Sequence, residues 1–145
     1  MKKTLIVSII FLFLITSCTQ QDVVKNQPKE LLYVWLHDVG FEDPNFLAVI
    51  NADSKSENYG ELVDTIPVFE TVGMAHHTPI FLPSSGLIYA NDFHNSHTYI
   101  YETNNPLKPK LSKSFGKIKE YSFPHSYSEL PNGNIISTFQ TKGGI

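Results

Sequence analysis

The stretch "HTPIFLPSSGLIYAN", His77–Asn91, aligns without a gap with a later stretch, "HSYSELPNGNIISTF", His125–Phe139. Both begin with a histidine, continue into a Leu-Pro turn and then enter a β-branched, apolar strand, where Leu87 matches Ile135. Upstream of each stretch lies a strand, a turn and a second strand. A period of roughly 40 to 50 residues built from about four strands is typical of a β-propeller blade.

Short runs rich in β-branched and aromatic residues recur from residue 31 onward and alternate with Asn-, Gly- and Pro-containing turns. Such runs predict strands. No window of about eleven residues keeps a helical period, so we predict a chain that is nearly all β. The predicted strands are Leu31–Leu36, Phe46–Asn51, Leu62–Val68, Leu87–Asn91, Thr98–Glu102, Leu111–Phe115 and Asn134–Phe139.

The number of repeats limits how much of a propeller this chain can form. A blade has two apolar faces that it cannot bury alone, and neighbouring blades cover them. Propellers close with about four to eight blades, whereas this chain supplies only two to three repeats. We therefore predict an all-β β-propeller fold in which residues 31–145 are the N-terminal blades of a truncated propeller.

The N-terminal residues have the pattern of a lipoprotein signal. Two lysines precede an apolar stretch, and small residues lead to Cys18. The apolar stretch is shorter than the about 20 residues that a spanning helix needs, so residues 1–17 are predicted to be a cleaved signal peptide. Cys18 would then be lipidated, with residues 18–30 as a tether. This predicts a lipid-anchored protein of the cell envelope, on the periplasmic face or, as Thr19 favours, at the outer membrane.

Composition excludes several function classes. Cys18 is the single cysteine of the chain, so a lipidated protein has no disulfide, thiolate ligand or cysteine nucleophile. Removing Lys2 and Lys3 with the signal changes the formal charge from −3 to −5, and no Lys/Arg cluster is long enough to make a basic stripe. Nucleic acid is therefore not an expected partner, and the membrane is expected only through the lipid anchor.

The histidines are the candidate site residues. Equivalent positions of successive blades lie at similar height, so the alignment predicts that His77 and His125 approach each other, with His76 adding a second imidazole from its blade. This expectation takes the strand after each Leu-Pro turn as the innermost one. Three neutral imidazoles suit copper, zinc, iron or nickel, and Met74 is the only soft ligand nearby. The alternative, which the sequence leaves open, is that a repeated histidine merely hydrogen-bonds the backbone in each blade.

Other polar clusters are predicted to be structural. "DFHNSH", Asp92–His97, has two histidines three apart, but it lies between two predicted strands and indicates a polar hairpin turn. His37 and Asp38 precede a turn and are expected to be solvated. Glu42 and Asp43 are expected to be turn residues. No nucleophile elbow, phosphate loop or dinucleotide glycine pattern occurs in the sequence.

Four segments of the chain carry a family resemblance: Asp43–Val68, Ala75–Thr78 ("AHHT"), Tyr99–Phe115 and Phe123–Gly144. Together they resemble the selenium-binding protein or methanethiol oxidase family. That resemblance implies a seven-bladed propeller and, in bacterial members, an exported copper enzyme that oxidises a small thiol, methanethiol, with dioxygen to formaldehyde, hydrogen sulfide and hydrogen peroxide. It also implies that His76, His77 and His125 are copper ligands.

The chain departs from the family pattern at three positions. Ser54 replaces a proline of the first turn, Ser128 replaces the second histidine of a "P-H-x-x-H" segment, and Val34 lies near the place of the cysteine associated with selenium binding. Thiol-based selenium binding is therefore not expected. Two alternatives to an oxidase stay open: a non-enzymatic surface propeller that binds a peptide, glycan or envelope partner, and a remnant without function.

Overall fold

The computed structural model of the chain describes residues 27–69 and 73–143. The predicted signal peptide at residues 1–17, Cys18 and most of the tether at residues 18–30 lie outside the described residues. Within the two described ranges, no helix has the length and hydrophobicity needed to cross a membrane.

The described residues form β-strands joined by turns and loops. Six of the seven predicted strands agree with the structure to within one residue at each end, and the last one begins one residue later and extends three residues further. The strands are β1 (Leu31–Leu36), β2 (Phe46–Asn51), β3 (Leu62–Pro67), β4 (Leu87–Asp92), β5 (His97–Glu102), β6 (Lys110–Phe115), β7 (Tyr121–Glu129) and β8 (Ile135–Lys142).

Strand β7 was not predicted from the sequence. It contains Pro124, which cannot donate a hydrogen bond to a neighbouring strand and therefore argues against a regular strand. The structure accommodates the proline with an irregularity, because the pairing of β7 with β8 shifts register between Pro124 and Tyr127. Phe123 has a positive φ of 59°, a conformation that is uncommon for a bulky residue.

The strands form three successive antiparallel sheets, which we call the first blade (β1-β2-β3), the second blade (β4-β5-β6) and the third blade (β7-β8). The first two blades repeat in detail. The register shifts between Val49 and Ile50 in the first blade and between Ile100 and Tyr101 at the corresponding place in the second. This repeated irregularity supports the internal repeat seen in the sequence.

The hydrophobic core lies mainly between the first and second blades. The middle strands β2 and β5 are buried on both faces, which explains the nearly continuous apolar sequence of β2. In the third blade, β8 alternates between half-buried and exposed residues. The buried core residues are Leu47, Val68, Ile88, Ala90, Tyr99 and Tyr101, with Tyr33, Trp35, Ile66 and Leu111 packed against them.

The order of strands differs from the expectation in one respect. Ala75 pairs with Asp92 at the edge of β4 that β5 does not occupy, and the Asn91 N–H donates to the His77 carbonyl at 3.1 Å. In the third blade, β7 carries His125 and pairs with β8 in the same way. The histidine-bearing segments themselves therefore lie at this edge, one strand beyond those that follow the Leu-Pro turns.

This edge segment was not predicted from the sequence because Pro79 and Pro83 interrupt it. Each proline removes a donor and prevents a regular ladder along β4. Only a short pairing around Ala75 and His77 therefore forms. That short pairing is enough to position the histidine doublet, His76 and His77, against the neighbouring blade.

Candidate metal centre

The structure brings together the three histidines that the sequence singled out. The ring centroids of His76 and His77 lie 4.1 Å apart. The ring of His125, from the third blade, lies 5.0 Å from that of His76 and 4.4 Å from that of His77. One ring nitrogen from each histidine can be chosen so that all three lie within 4.8 Å of one another. The doublet and its counterpart in the next blade thus form one cluster.

The donor set of this cluster suits a transition metal. Nitrogens bound to a metal at about 2.0–2.1 Å are roughly 3–4 Å apart, so modest side-chain adjustments would close the cluster around one ion. The donor set consists of imidazoles, which suit copper, zinc, iron or nickel. The three histidines can therefore bind a metal.

The protonation state of His76 and His77 favours metal binding. Burial lowers the pKa of His76, and the neighbouring His125 lowers it further. Burial also lowers the pKa of His77, with smaller contributions from His76 and His125. A lowered pKa keeps an imidazole neutral, and the neutral imidazole is the form that binds metals.

Aromatic side chains form one wall of the cluster. The Phe93 ring lies 5.0 Å from the His76 ring, and Phe123 packs against Phe93 at 5.1 Å. The unusual backbone of Phe123 is held from the second blade, because its N–H donates to the buried Ser96 hydroxyl at 3.0 Å. The turn after β4 and the irregular part of β7 thus meet beside the histidines.

Asn91 joins the two histidine-bearing segments and was not identified from the sequence. Its side chain is fully buried. The Oδ1 atom accepts a hydrogen bond from the His77 N–H at 2.6 Å, and Nδ2 donates to the carbonyl of His125 at 3.2 Å and to that of Pro124. In the sequence, Asn91 stands at a strand end before a turn, where an asparagine is usually a turn residue, so no local signal distinguished it.

Asp92 supports the segment that leads to the doublet. Its buried carboxylate accepts the backbone N–H groups of Met74 and Asn95 at 3.0 and 3.1 Å and the Asn95 side-chain amide at 2.8 Å. Gly73 packs so closely on it that a Cβ there would lie 1.9 Å from Asp92 Oδ2. The conformation of the loop before His76 therefore depends on Gly73 and Asp92, whose roles were not predicted from the sequence.

The remaining histidines have other surroundings. His97 stacks on Tyr99 with centroids 5.8 Å apart, and its Nδ1 lies 3.3 Å from the Asn95 carbonyl, in keeping with the predicted hairpin between β4 and β5. His37 stacks on Phe41 at 5.0 Å. None of His37, His94 and His97 belongs to the three-histidine cluster found in the described part of the chain.

The acidic residues near the first strand act on the backbone. The Asp38 carboxylate accepts the Glu42 N–H at 3.1 Å, and this bond lowers the pKa of Asp38. Asp38 therefore organises a turn rather than an imidazole, and Glu42 lies in that turn, as predicted. Ser128 is exposed in β7 and pairs with Ile136, and Val34 lies in β1.

Comparisons with known proteins place these observations in context. No family model matches the chain. Methanethiol oxidase from Hyphomicrobium sp is 31% identical over 114 residues, which are 74% of this chain and 26% of that protein. The X-ray structure of a hypothetical selenium-binding protein from Sulfolobus tokodaii matches with a TM-score of 0.67 at 22% identity, over 81% of this chain and 30% of that chain.

These similarities confirm the predicted fold class. The described residues form strands, turns and loops without a helix, and their successive antiparallel sheets are part of a β-propeller. It spans 26% of the length of the curated relative and 30% of the solved structure.

Proposed function

Because the chain belongs to the selenium-binding protein and methanethiol oxidase family, we propose that it contributes the copper-binding histidines of an oxidoreductase related to methanethiol oxidase. The observation that carries the proposal is the convergence of His76, His77 and His125, whose ligand atoms lie within 4.8 Å of one another. Two of these residues come from one blade and the third from the next, so folding is required to assemble the site.

The protein groups at this site would bind the metal and shield one side of the site from water. The three imidazoles would hold copper in their neutral forms, which the lowered pKa values of His76 and His77 favour. The Phe93 and Phe123 rings would keep water from one side of the histidines. Catalytic metal centres commonly leave a coordination position for the substrate, and a small thiol is the substrate class that we propose.

Copper bound there would supply Lewis acidity, which lowers the pKa of a thiol, and a redox couple for passing electrons toward dioxygen. With methanethiol as substrate, the balanced reaction consumes one dioxygen and one water and yields formaldehyde, hydrogen sulfide and hydrogen peroxide. The thiol carbon is oxidised, dioxygen is reduced to peroxide, and the carbon–sulfur bond breaks.

The ligand assignment is tested by metal analysis of the full-length protein. We expect His76→Ala, His77→Ala and His125→Ala each to lower the bound copper substantially, while the matched variant His37→Ala retains it, since His37 stacks on Phe41 away from the cluster. Unchanged copper content in the three cluster variants would overturn the proposal.

The activity is tested separately by headspace measurement of methanethiol loss with peroxide detection. Copper-loaded protein is expected to consume methanethiol, and the cluster variants are expected not to. Ser128 stands where the family has a further histidine, and this departure is what favours the second candidate, a surface propeller that binds without catalysis. Full copper loading with no turnover would support that candidate.

The site of action is also proposed, in the cell envelope through a lipid on Cys18. The supporting pattern is the basic, apolar and small-residue order of residues 1–17 before a single cysteine. Labelled fatty acid should enter the wild-type protein and not Cys18→Ser. Equal labelling of both would refute the lipid anchor and leave the copper proposal untouched.

A further inference from the structure

We propose that Asn91 is a positioning residue that sets the spacing of the imidazoles from the two blades. The inference rests on the proposed metal centre and concerns how the chain holds it. Asn91 is the second-to-last residue of β4, between the segment that carries His76 and His77 and the part of β7 that carries His125.

Asn91 forms hydrogen bonds with the segment that carries the doublet through both its backbone and its side chain. Its N–H donates to the His77 carbonyl at 3.1 Å, and its Oδ1 accepts the His77 N–H at 2.6 Å. Both backbone groups of His77 are therefore bound to one residue. Such a paired contact restricts the translation and the rotation of the His77 peptide relative to β4.

The amide of the same side chain holds the neighbouring blade. Nδ2 donates to the His125 carbonyl at 3.2 Å and to the Pro124 carbonyl. Pro124 and His125 lie where β7 departs from regular pairing with β8, so this part of the strand receives less support from its own sheet. One planar amide thus joins the backbones of His77 and His125.

The position itself indicates a specific role for the amide. In the repeat, Asn91 aligns with Phe139, so the blade architecture does not require a polar residue there. Asn91 is 0% exposed, and a buried amide is costly unless its hydrogen bonds are made. Here both ends of the amide are bonded, and their partners are the segments that carry the metal-binding histidines.

The test compares two Asn→Asp variants of the full-length protein. Asn91→Asp keeps an acceptor for the His77 N–H but replaces the donor that faces the two carbonyls with an oxygen. Asn51→Asp is the matched control, because Asn51 is also buried but bonds within its own turn, to Ser56 and to the Asp53 N–H. Copper affinity is measured by competition with a chelator, and ligand arrangement by electron paramagnetic resonance of bound Cu(II).

We expect Asn91→Asp to weaken copper binding by about 10- to 100-fold, as is common for residues that orient metal ligands, and to change the Cu(II) spectrum. Asn51→Asp should keep both the wild-type affinity and the wild-type spectrum. Wild-type affinity and spectrum in Asn91→Asp would overturn the positioning role. Failure of the wild-type protein to bind copper would instead overturn the proposed function.

A second variant keeps the inference testable if Asn91→Asp does not fold. Asn91→Gln keeps the amide and moves it by one methylene, so it is expected to fold, to bind copper more weakly than wild type and to give a spectrum different from the wild-type one. A spectrum identical to wild type in Asn91→Gln would also contradict the inference.

Discussion

The Trp35 indole N–H donates to the Asn91 carbonyl at 2.7 Å and so links the first blade to the strand that supports the histidine cluster. The same indole packs against Tyr99 and Tyr101, with ring centroids 5.7 and 6.0 Å away. Asn91 in turn bonds to the histidine-bearing segments. The packing of the first two blades is therefore connected to the geometry of the candidate site.

Replacing Trp35 tests this link. Trp35→Phe keeps an aromatic ring but removes the N–H donor and part of the packing volume. The variant should be less stable by about 1–3 kcal/mol, because the Asn91 carbonyl loses a buried partner. Urea unfolding followed by circular dichroism measures the change. Tyr59→Phe, at an exposed tyrosine, should be near neutral, and equal stability of the two variants would contradict the prediction.

Gly73 is predicted to be intolerant of a side chain. In Gly73→Ala, the new Cβ would meet the Asp92 carboxylate at 1.9 Å and the Asn45 side-chain nitrogen at 2.7 Å. Asp92 is held by several hydrogen bonds and cannot move freely. We expect a loss of about 1–3 kcal/mol in stability, as in overpacked cores, together with weaker copper binding.

Gly116→Ala is the control for this substitution. The nearest atom to a Cβ at Gly116 is a ring carbon of His97 at 3.5 Å, which is an ordinary contact. Thermal unfolding and copper titration of the two variants give the comparison. A Gly73→Ala protein with the stability and copper affinity of Gly116→Ala would show that the loop before His76 tolerates displacement.

Tyr127 is predicted to make stability depend on alkaline pH. Burial raises the pKa of Tyr127 from 10.0 to about 12, although its hydrogen bond with Thr98 acts in the opposite direction. The neutral phenol is favoured in the folded state, so its contribution is complete below pH 10 and is lost as the pH rises through about 12. The two values correspond to roughly 3 kcal/mol in total.

The measurement compares wild type with Tyr127→Phe by urea unfolding at several pH values. Phenylalanine does not ionise, so the variant lacks this contribution. Other tyrosines are present in both proteins, and their effects cancel in the difference. Wild type should lose roughly 2 kcal/mol relative to the variant between about pH 9 and about pH 11.5. Parallel stability curves would contradict the raised pKa.

The turn between β6 and β7 offers a stabilising substitution. Ile118 and Tyr121 exchange two backbone hydrogen bonds, of 3.1 and 2.9 Å, around a two-residue turn. Lys119 in that turn has a φ of 55°, a conformation that glycine adopts without steric cost. Lys119→Gly should raise stability by about 0.5–1 kcal/mol.

The neighbouring lysine supplies the control for this substitution. Lys117 is outside the residues with positive φ, so Lys117→Gly adds backbone freedom to the unfolded chain without relieving strain and should lower stability. The two variants carry the same change in charge and side-chain size. Thermal unfolding should therefore show shifts of opposite sign, and shifts of the same sign would refute the assignment of strain to Lys119.

Local pattern was sufficient for most of the strands and for the repeat. Strands such as β2 and β5 are rich in apolar and aromatic residues and bounded by turn formers, so their residues indicate them directly. Strand β7 was not predicted, because Pro124 and the irregular pairing around it weaken the local sequence pattern. The edge segment around Ala75 escaped for a similar reason, since prolines limit it to a short pairing.

The sequence identified the three histidines, because a doublet beside a repeated Leu-Pro turn stands out and its repeat partner can be aligned. It did not identify Asn91 or Asp92, since their roles depend on segments that are distant in sequence. Asn91 reaches 33 and 34 residues along the chain to Pro124 and His125. Residue types and periodicity reflect local backbone preferences, whereas the distance between two imidazoles depends on how two blades pack and on the buried hydrogen bonds that join them.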